Sequence, residues 1–180
     1  MKLLNFVRRD SMLEIHETSN TLKSYLEMDV FNEDTKERVK GADIVLLPNF
    51  GIKEGVDRAF QPDTVAFYKY SIATKGSEAK IELFENKGEE KILALHSFDI
   101  WIPLMVIGSS VLLPFTINLV SSFVFEKMKG RPNDEPTVHF NLLIEDKEKG
   151  KSKHLSYKGP ADGFSESFEK LDVNKLWEDE

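Results

Sequence analysis

His96 and Asp99 are a titratable pair that lies close together in the sequence. In a helix, residues three apart share a face, and the carboxylate of Asp99 could then orient the imidazole of His96. Hydrolysis would also need a nucleophile and an oxyanion donor, and Ser109 and Ser110 lie about three helical turns further along, in an apolar stretch. His96 and Asp99 are therefore candidate catalytic residues of a small hydrolase. The spacing favours the alternative, a polar cap on the apolar stretch.

Metal and thiol chemistry has no support in the residue pattern. The chain has four histidines and no cysteine, and no two histidines stand at the spacing of a metal-binding motif. His139 and His154 alternate with apolar residues, which predicts that they lie on the polar face of a hairpin, where solvated histidines are common. We therefore predict no metal site and no cofactor.

A short segment after a buried strand is the candidate ligand site. The run Ile44 to Leu47 is continuously apolar, and Asn49, Gly51, Lys53 and Gly55 follow it. Ligands of α/β folds bind near the carboxyl ends of strands. The glycine spacing does not match a dinucleotide-binding fingerprint. These four residues are candidate ligand-binding residues, and an ordinary flexible loop is the alternative.

The charge distribution argues against a nucleic-acid partner. The formal net charge is −7, from 24 basic and 31 acidic residues, and such a protein repels phosphate backbones. Four lysines and three acidic residues stand together at a predicted hairpin turn: Lys147, Lys149, Lys151 and Lys153, with Glu145, Asp146 and Glu148. Because the acidic residues offset the lysines, we predict no nucleic-acid binding there.

An uncharged segment of 24 residues, Ile102 to Phe125, is the most unusual feature of the sequence. A helix of that length would reach across a hydrocarbon core of about 30 Å. Trp101 stands before it as an interfacial aromatic would, and Lys127 follows its end. We expect contact with a partner or a membrane through Trp101, Ile102, Met105, Val111, Leu112, Phe115, Phe123 and Phe125.

A simple membrane span meets a topological difficulty. A cytoplasmic carboxyl side would require the first 101 residues, which are rich in charge and carry no recognisable signal peptide, to cross the membrane. Pro103, Gly108 and Pro114 also interrupt the segment. We therefore favour a cytoplasmic protein whose segment is buried in its own core or against a partner. In that case, Val111→Lys should unfold or aggregate the protein.

The N-terminal part alternates between predicted strands and helices. The periodicity and turn residues predict strands over 2–7, 12–16, 44–47, 80–83 and 91–95, and helices over 21–31 and 63–73. A polar connection follows residue 31, and a loop rich in turn-forming residues spans 48–62.

The C-terminal part has the clearest pattern. Apolar residues alternate with polar ones on both sides of a charged turn: Val138, Phe140, Leu142 and Ile144 before it, and Leu155 and Tyr157 after it. A pairing in which partner numbers add to an odd sum places these residues on one face. Phe164, Phe168 and Leu171 then recur at helical spacing, so we predict a β-hairpin covered by an amphipathic helix.

These elements predict an α+β protein. With 180 residues, 41% of them apolar, the chain can build a core without disulfides or metals. Its parts would be a mixed α/β part (1–95), an apolar segment (96–131, helical over 102–125) and a hairpin-helix unit (132–180), or one compact domain overall.

Because no convergent catalytic set emerges, we expect a non-catalytic binding or assembly subunit. It would bury its apolar segment against a protein partner or in a homo-oligomer. One alternative is a membrane-associated protein anchored through residues 102–125, and a second is a small hydrolase that uses His96 and Asp99.

Overall fold

A computed structural model of the protein describes residues 6–8, 11–75, 78–95, 97–131 and 133–178. The strands are β1 (Phe6–Arg8), β2 (Ser11–Thr18), β3 (Ile44–Leu47), β4 (Asn49–Lys53), β5 (Val56–Ala59), β6 (Ile81–Leu83), β7 (Ile100–Trp101), β8 (Leu104–Ile107), β9 (Thr137–Asp146) and β10 (Lys151–Pro160). The α-helices are α1 (Leu22–Leu26), α2 (Glu33–Lys40), α3 (Thr64–Lys75), α4 (Leu113–Met128) and α5 (Phe164–Phe168). Short 3-10 turns lie at Ser110–Leu112, Ala161–Gly163 and Val173–Lys175. The predicted α+β class is confirmed.

Within the described residues, eight strands form one mixed sheet. Its order is β1-β2-β10-β9-β8-β3-β6, and β7 pairs with β9 on the same side as β8. β7 and β8 run parallel to β9, and β6 runs parallel to β3, whereas the other neighbours are antiparallel. Strands from distant parts of the chain meet in this sheet, because β2 lies beside β10.

β9 and β10 form the predicted C-terminal hairpin. Leu142 pairs with Leu155, and Phe140 pairs with Tyr157, so the partner numbers add to the odd sum that places the apolar residues on one face. All four side chains are buried. Helix α5 packs against them, with the rings of Tyr157 and Phe164 centred 4.9 Å apart. The predicted amphipathic helix is therefore present over Phe164–Phe168, but it ends before Leu171, so the prediction that Leu171 belongs to it is wrong.

The sheet carries a hydrophobic core on each face. The larger core lies between the sheet and helices α3, α4 and α5, and in it Phe67 meets Phe123 edge to face at 5.3 Å. The smaller core involves α1 and α2, and its Phe31 stacks on Phe84 at 4.2 Å. In the described part of the chain, the smaller core includes residues of β3, β8 and β9 and none of β2 or β10. Part of that second face therefore lies outside either core.

The apolar segment begins with a strand and continues as a helix. Residues 104–107 form β8, so the predicted helix is wrong there, whereas α4 confirms a helix over 113–125. The run of four apolar residues in β8 lies between Pro103 and Gly108, and a short bounded run of this kind suits a buried strand. Ser109 then starts a 3-10 turn, because its Oγ accepts a hydrogen bond from the Val111 N–H at 3.2 Å.

The predicted helix over 21–31 is wrong in length, and a second helix stands where a polar connection was expected. Helix α1 ends at Leu26. Helix α2 begins after Asn32, whose side chain accepts a hydrogen bond from the Thr35 N–H at 2.9 Å. Asn32 is a strong helix N-cap, and α2 buries only two side chains, Thr35 and Val39. A helix with so narrow an apolar face leaves little periodicity in the sequence.

The predicted loop over 48–62 is wrong, because β4 and β5 pair as a separate two-stranded sheet. The register shifts between Phe50 and Lys53. Gly51 lies in this bulge with φ of 63°, and Gly55 lies in the turn with φ of 80°. Both conformations favour glycine, so these residues shape a hairpin.

β6 confirms the strand predicted over 80–83, but it pairs with β3 and not with residues 91–95. The predicted strand over 91–95 is wrong, since only an isolated bridge joins Ile92 to Phe60. The chain after β6 is held by a buried ion pair. Arg58 donates two hydrogen bonds of 2.7 Å to the carboxylate of Glu85, whose side chain is 2% exposed.

The N-terminal strand predictions are confirmed where the structure describes them. β2 contains the strand predicted over 12–16, and β1 overlaps the end of the strand predicted over 2–7. Residues 2–5 of that second prediction lie outside the described residues. β1 pairs antiparallel with β2, with Phe6 opposite Leu13.

A lysine at two positions of the apolar segment distinguishes its buried side from its exposed side. Val120 is 0% exposed and Val111 is 81% exposed, so the expectation that Val111→Lys would unfold the protein is wrong. We expect Val120→Lys to lower the free energy of unfolding by about 3 kcal/mol or more, because it buries a charge. Val111→Lys should change it by less than about 0.5 kcal/mol. Urea titrations followed by tryptophan fluorescence measure both, and equal destabilisation would contradict the packing of α4.

Candidate functional site

Asp99, one residue of the predicted catalytic pair, contacts a histidine of β9. His96, the other residue, lies outside the described residues. The Asp99 Oδ2 lies 3.0 Å from His139 Nε2, and its Oδ1 accepts a hydrogen bond from the Thr137 N–H at 3.1 Å. An ionised carboxylate can only accept, so Nε2 of His139 carries the proton. The observed acid–base pair therefore joins residues that are 40 positions apart.

Trp101 stacks flat against this histidine. The ring centroids of Trp101 and His139 are 3.6 Å apart, and their planes differ by 1°. The stack follows from the sheet, because β7 and β9 are parallel and these two residues are register partners. It leaves the His139 side chain 16% exposed. The buried Nε1 of Trp101 has no hydrogen-bond partner among the described residues.

Asp99 is ionised at neutral pH. Partial burial alone would raise the pKa of its carboxyl group, but hydrogen bonds from His139 and from the Thr137 backbone outweigh that effect and lower the pKa below its usual value. A carboxylate in this position fixes the tautomer and the orientation of the imidazole.

A second histidine pair lies on β2 and β10. His16 Nε2 is 3.2 Å from His154 Nδ1, and His154 Nε2 is 3.0 Å from the Asn141 Oδ1. His16 and His154 are register partners in the sheet. A neutral imidazole has one donor and one acceptor nitrogen. A neutral His154 therefore donates to Asn141 and accepts from His16, which makes a directed chain of hydrogen bonds.

His154 resists protonation. Burial lowers the pKa of its imidazole, and the neighbouring charge of His16 lowers it further. Protonation would also make both ring nitrogens donors, which removes the acceptor that His16 uses. The hydrogen-bond chain from His16 through His154 to Asn141 therefore exists only while His154 is neutral.

Both groups lie on one face of the sheet. His139 and Asn141 are alternate residues of β9, so their side chains point to the same side, opposite the buried Phe140. This is the part of the second face that helices α1 and α2 leave outside the smaller core. We call it the histidine face, and it consists of His16, Asp99, Trp101, His139, Asn141 and His154.

The structure does not bring the predicted serine nucleophiles to this face. Asp99 contacts His139 near the start of β9. Ser109 follows the end of β8, where Ile107 pairs with Ile144. The strand between His139 and Ile144 spans about 17 Å at roughly 3.3 Å per residue. The Asp99 carboxylate and the Ser109 hydroxyl therefore lie near opposite ends of the sheet.

The candidate ligand-binding residues Asn49, Gly51, Lys53 and Gly55 all belong to the β4–β5 hairpin and its turn. Gly51 and Gly55 supply positive φ angles, which accounts for them without a ligand. The backbone of Lys53 pairs with Val56. Asn49 differs, since its buried Nδ2 has no hydrogen-bond partner among the described residues.

The predicted contact residues separate into three groups by exposure. Buried within the chain are Ile102, Met105 and Phe123; partly buried are Trp101, Leu112 and Phe115; exposed are Val111 and Phe125. The buried group belongs to the larger core. Only the remaining positions can contact another molecule without unfolding.

No group of three histidine or acidic side chains in the described ranges could hold a metal ion. Comparison with known proteins finds no matching family model, no similar curated protein and no similar solved structure.

Acidification should weaken the folded protein through His154. The unfolded chain takes up a proton at the ordinary histidine pKa, whereas the folded protein does so only at lower pH. Between these values the unfolded state binds more protons, so the free energy of unfolding falls as the pH decreases through this window. We expect this decrease to begin as the pH falls through about 6.5, the ordinary histidine pKa, and to continue below it.

His154→Gln is the variant that tests this prediction. Glutamine is neutral at every pH in the window and keeps a donor for Asn141. Urea titrations at several pH values should therefore show a smaller decrease for His154→Gln than for the wild type. Equal pH dependence of the two proteins would show that His154 does not contribute.

Proposed function

We propose that the protein is a non-catalytic binding or assembly subunit, which acts in the cytoplasm and contacts a protein partner or a second copy of itself through the exposed side of α4. The observation that carries the proposal is the exposure of large apolar side chains there. Val111 is 81% exposed and Phe125 is 65% exposed. These two side chains lie at opposite ends of the helical segment, so each would be a separate apolar point within one contact surface.

Four exposed residues and the partly buried Phe115 form a strip along the helical segment. Val111, Phe115, Asn118, Ser122 and Phe125 follow one another at intervals of three or four residues, which places them on one side. The two ends of the strip are apolar, and its middle is polar. We call it the α4 strip.

The carboxyl end of the α4 strip has the larger apolar surface. Phe98 is 81% exposed, and its carbonyl accepts a hydrogen bond from Arg131 at 3.2 Å, just beyond the helix. The ammonium of Lys129 lies 5.3 Å from the centre of the Phe125 ring. Exposed aromatic rings beside basic groups are typical of protein contact surfaces.

Burial of the rest of α4 supports a protein contact over a membrane span. Seven of its side chains are buried: Leu113, Thr116, Ile117, Leu119, Val120, Phe123 and Val124. A span would require the helix to leave the core that these residues build with the sheet. The α4 strip can contact another protein with the core intact.

Membrane association is the second candidate function. The stretch Ser110–Met128 is long and apolar enough to cross a membrane, with a mean hydropathy of 1.3. Under this alternative, the protein would be anchored through residues 102–125. Fractionation of cells separates the two candidates, since a peripheral or soluble protein is released by alkaline carbonate. Recovery of the wild type only in the carbonate-resistant membrane pellet would overturn the proposal.

The double variant Val111→Lys/Phe125→Lys tests the protein contact. Both side chains are exposed, so the variant should fold, and two added charges should disrupt an apolar interface. We expect sedimentation velocity to show loss of self-association, or co-purification to show loss of a partner. The control is Val30→Lys, because Val30 is 40% exposed and lies outside α4. A double variant that associates as the wild type does would contradict the proposal.

A further inference from the structure

A pocket of about 400 Å³ lies where the β9–β10 turn meets α1 and the end of α2. It is separate from the α4 strip and from the histidine face, and no part of the proposed function uses it. Its volume falls in the range of small-molecule sites, roughly 300–1,000 Å³.

Positive charge surrounds the pocket. Lys23, Lys40, Lys147 and Lys151 line it, against two acidic residues. The acidic residues also serve the backbone. Glu145 accepts a hydrogen bond from the Leu22 N–H, and Asp146 accepts from two N–H groups of the following turn at 3.1 Å. Four lysines thus line the pocket against two carboxylates, and this excess of positive charge among the lining residues favours an anionic ligand.

Two of these lysines form exposed ion pairs with glutamates that a bound anion could replace. Lys23 lies 3.8 Å from Glu27, and Lys40 lies 2.5 Å from Glu37. All four of these side chains are about half exposed or more. Exposed ion pairs of this kind contribute little free energy. A bound anion can thus take the place of the glutamates at small cost.

The side chain of Lys147 lies against Gly108. A Cβ atom on Gly108 would lie 3.3 Å from both the Cε and the Nζ of Lys147. The end of the Lys147 side chain therefore packs over Gly108, in the connection between β8 and α4, where a larger residue would leave it less room. Among the described residues, Lys147 has no ion pair, so its ammonium is available to a ligand.

The pocket also has an apolar side. Leu22 and Leu26 of α1 line it, and both are only partly buried as they pack against the smaller core. An inorganic anion would leave this apolar surface exposed to water, whereas the apolar chain of an organic anion would bury it. The combination matches a ligand with an anionic end and an apolar body.

We propose that this pocket binds a small organic anion with an apolar chain, of the medium-chain carboxylate class. The carboxylate would contact Lys147 and its neighbouring lysines, and the chain would lie on Leu22 and Leu26. The proposal does not depend on a protein contact through the α4 strip.

Three probes test the ligand class on the full chain by isothermal titration calorimetry. Octanoate has both the charge and the chain, acetate has only the charge, and octylammonium has the chain with the opposite charge. We expect octanoate to bind at one site, and acetate and octylammonium to bind at least about tenfold more weakly. Equal binding of acetate or octylammonium would overturn the proposal, as would a lack of octanoate binding at millimolar concentration.

Two variants two residues apart locate the site. Lys147→Gln should weaken octanoate binding about fivefold, because it removes a lysine of the pocket. Lys149→Gln is the matched control, since Lys149 belongs to the same turn and does not line the pocket. Equal affinities of the two variants would overturn the assignment.

Backbone amide chemical shifts of the wild-type protein give a readout that needs no variant. Octanoate should perturb the amides of Leu22, Lys147 and Gly150 before those of the α4 strip. Shifts confined to any other surface would overturn the location. Loss of the α4 contact in the variant Val111→Lys/Phe125→Lys should leave octanoate binding unchanged, which distinguishes failure of one proposal from failure of the other.

Discussion

The pairing of β9 on both edges is the constraint on which the rest of the structure depends. β10 pairs with one edge, and β7 and β8 pair with the other. Side chains of a strand alternate between two faces, so this strand sends Phe140 and Leu142 into the larger core and His139 and Asn141 to the histidine face. A slip of one residue would exchange the two sets. Packing of the larger core therefore also fixes which polar side chains of β9 lie together on the histidine face.

One buried carboxylate connects the helices to that strand system. Asp63 is 9% exposed, and its carboxylate accepts a hydrogen bond of 2.7 Å from the Trp101 N–H. Its other oxygen lies 2.8 Å from the ammonium of Lys127, near the end of α4. The same side chain thus holds β7, which carries the ring stacked on His139, and the helix that carries the α4 strip. A buried charge of this kind is tolerable because it is paired and hydrogen-bonded.

The sequence pattern predicted correctly those elements whose formation depends on residues close together in the chain. β3 agrees with its prediction residue for residue, and the C-terminal hairpin was predicted with its apolar face, because alternation and turn residues are read directly from the chain. The apolar run of β8 was interpreted as helix, since periodicity cannot separate a buried strand from a buried helix. Asp99 was predicted as a candidate, but its observed partner His139 is brought to it by parallel pairing of β7 with β9. No short-range signal reports such a pairing.

The position of β2 beside β10 has a consequence for how the protein is made. Leu13 pairs with Tyr157, so the inner edge of β2 has no partner until the ribosome has synthesised the residues of β10. Contacts between such distant segments form slowly, and an unpaired strand edge invites association with other chains. The hydrogen bond between His16 and His154 then belongs to the last part of the sheet to assemble. The histidine face can therefore be completed only after β10 has been synthesised.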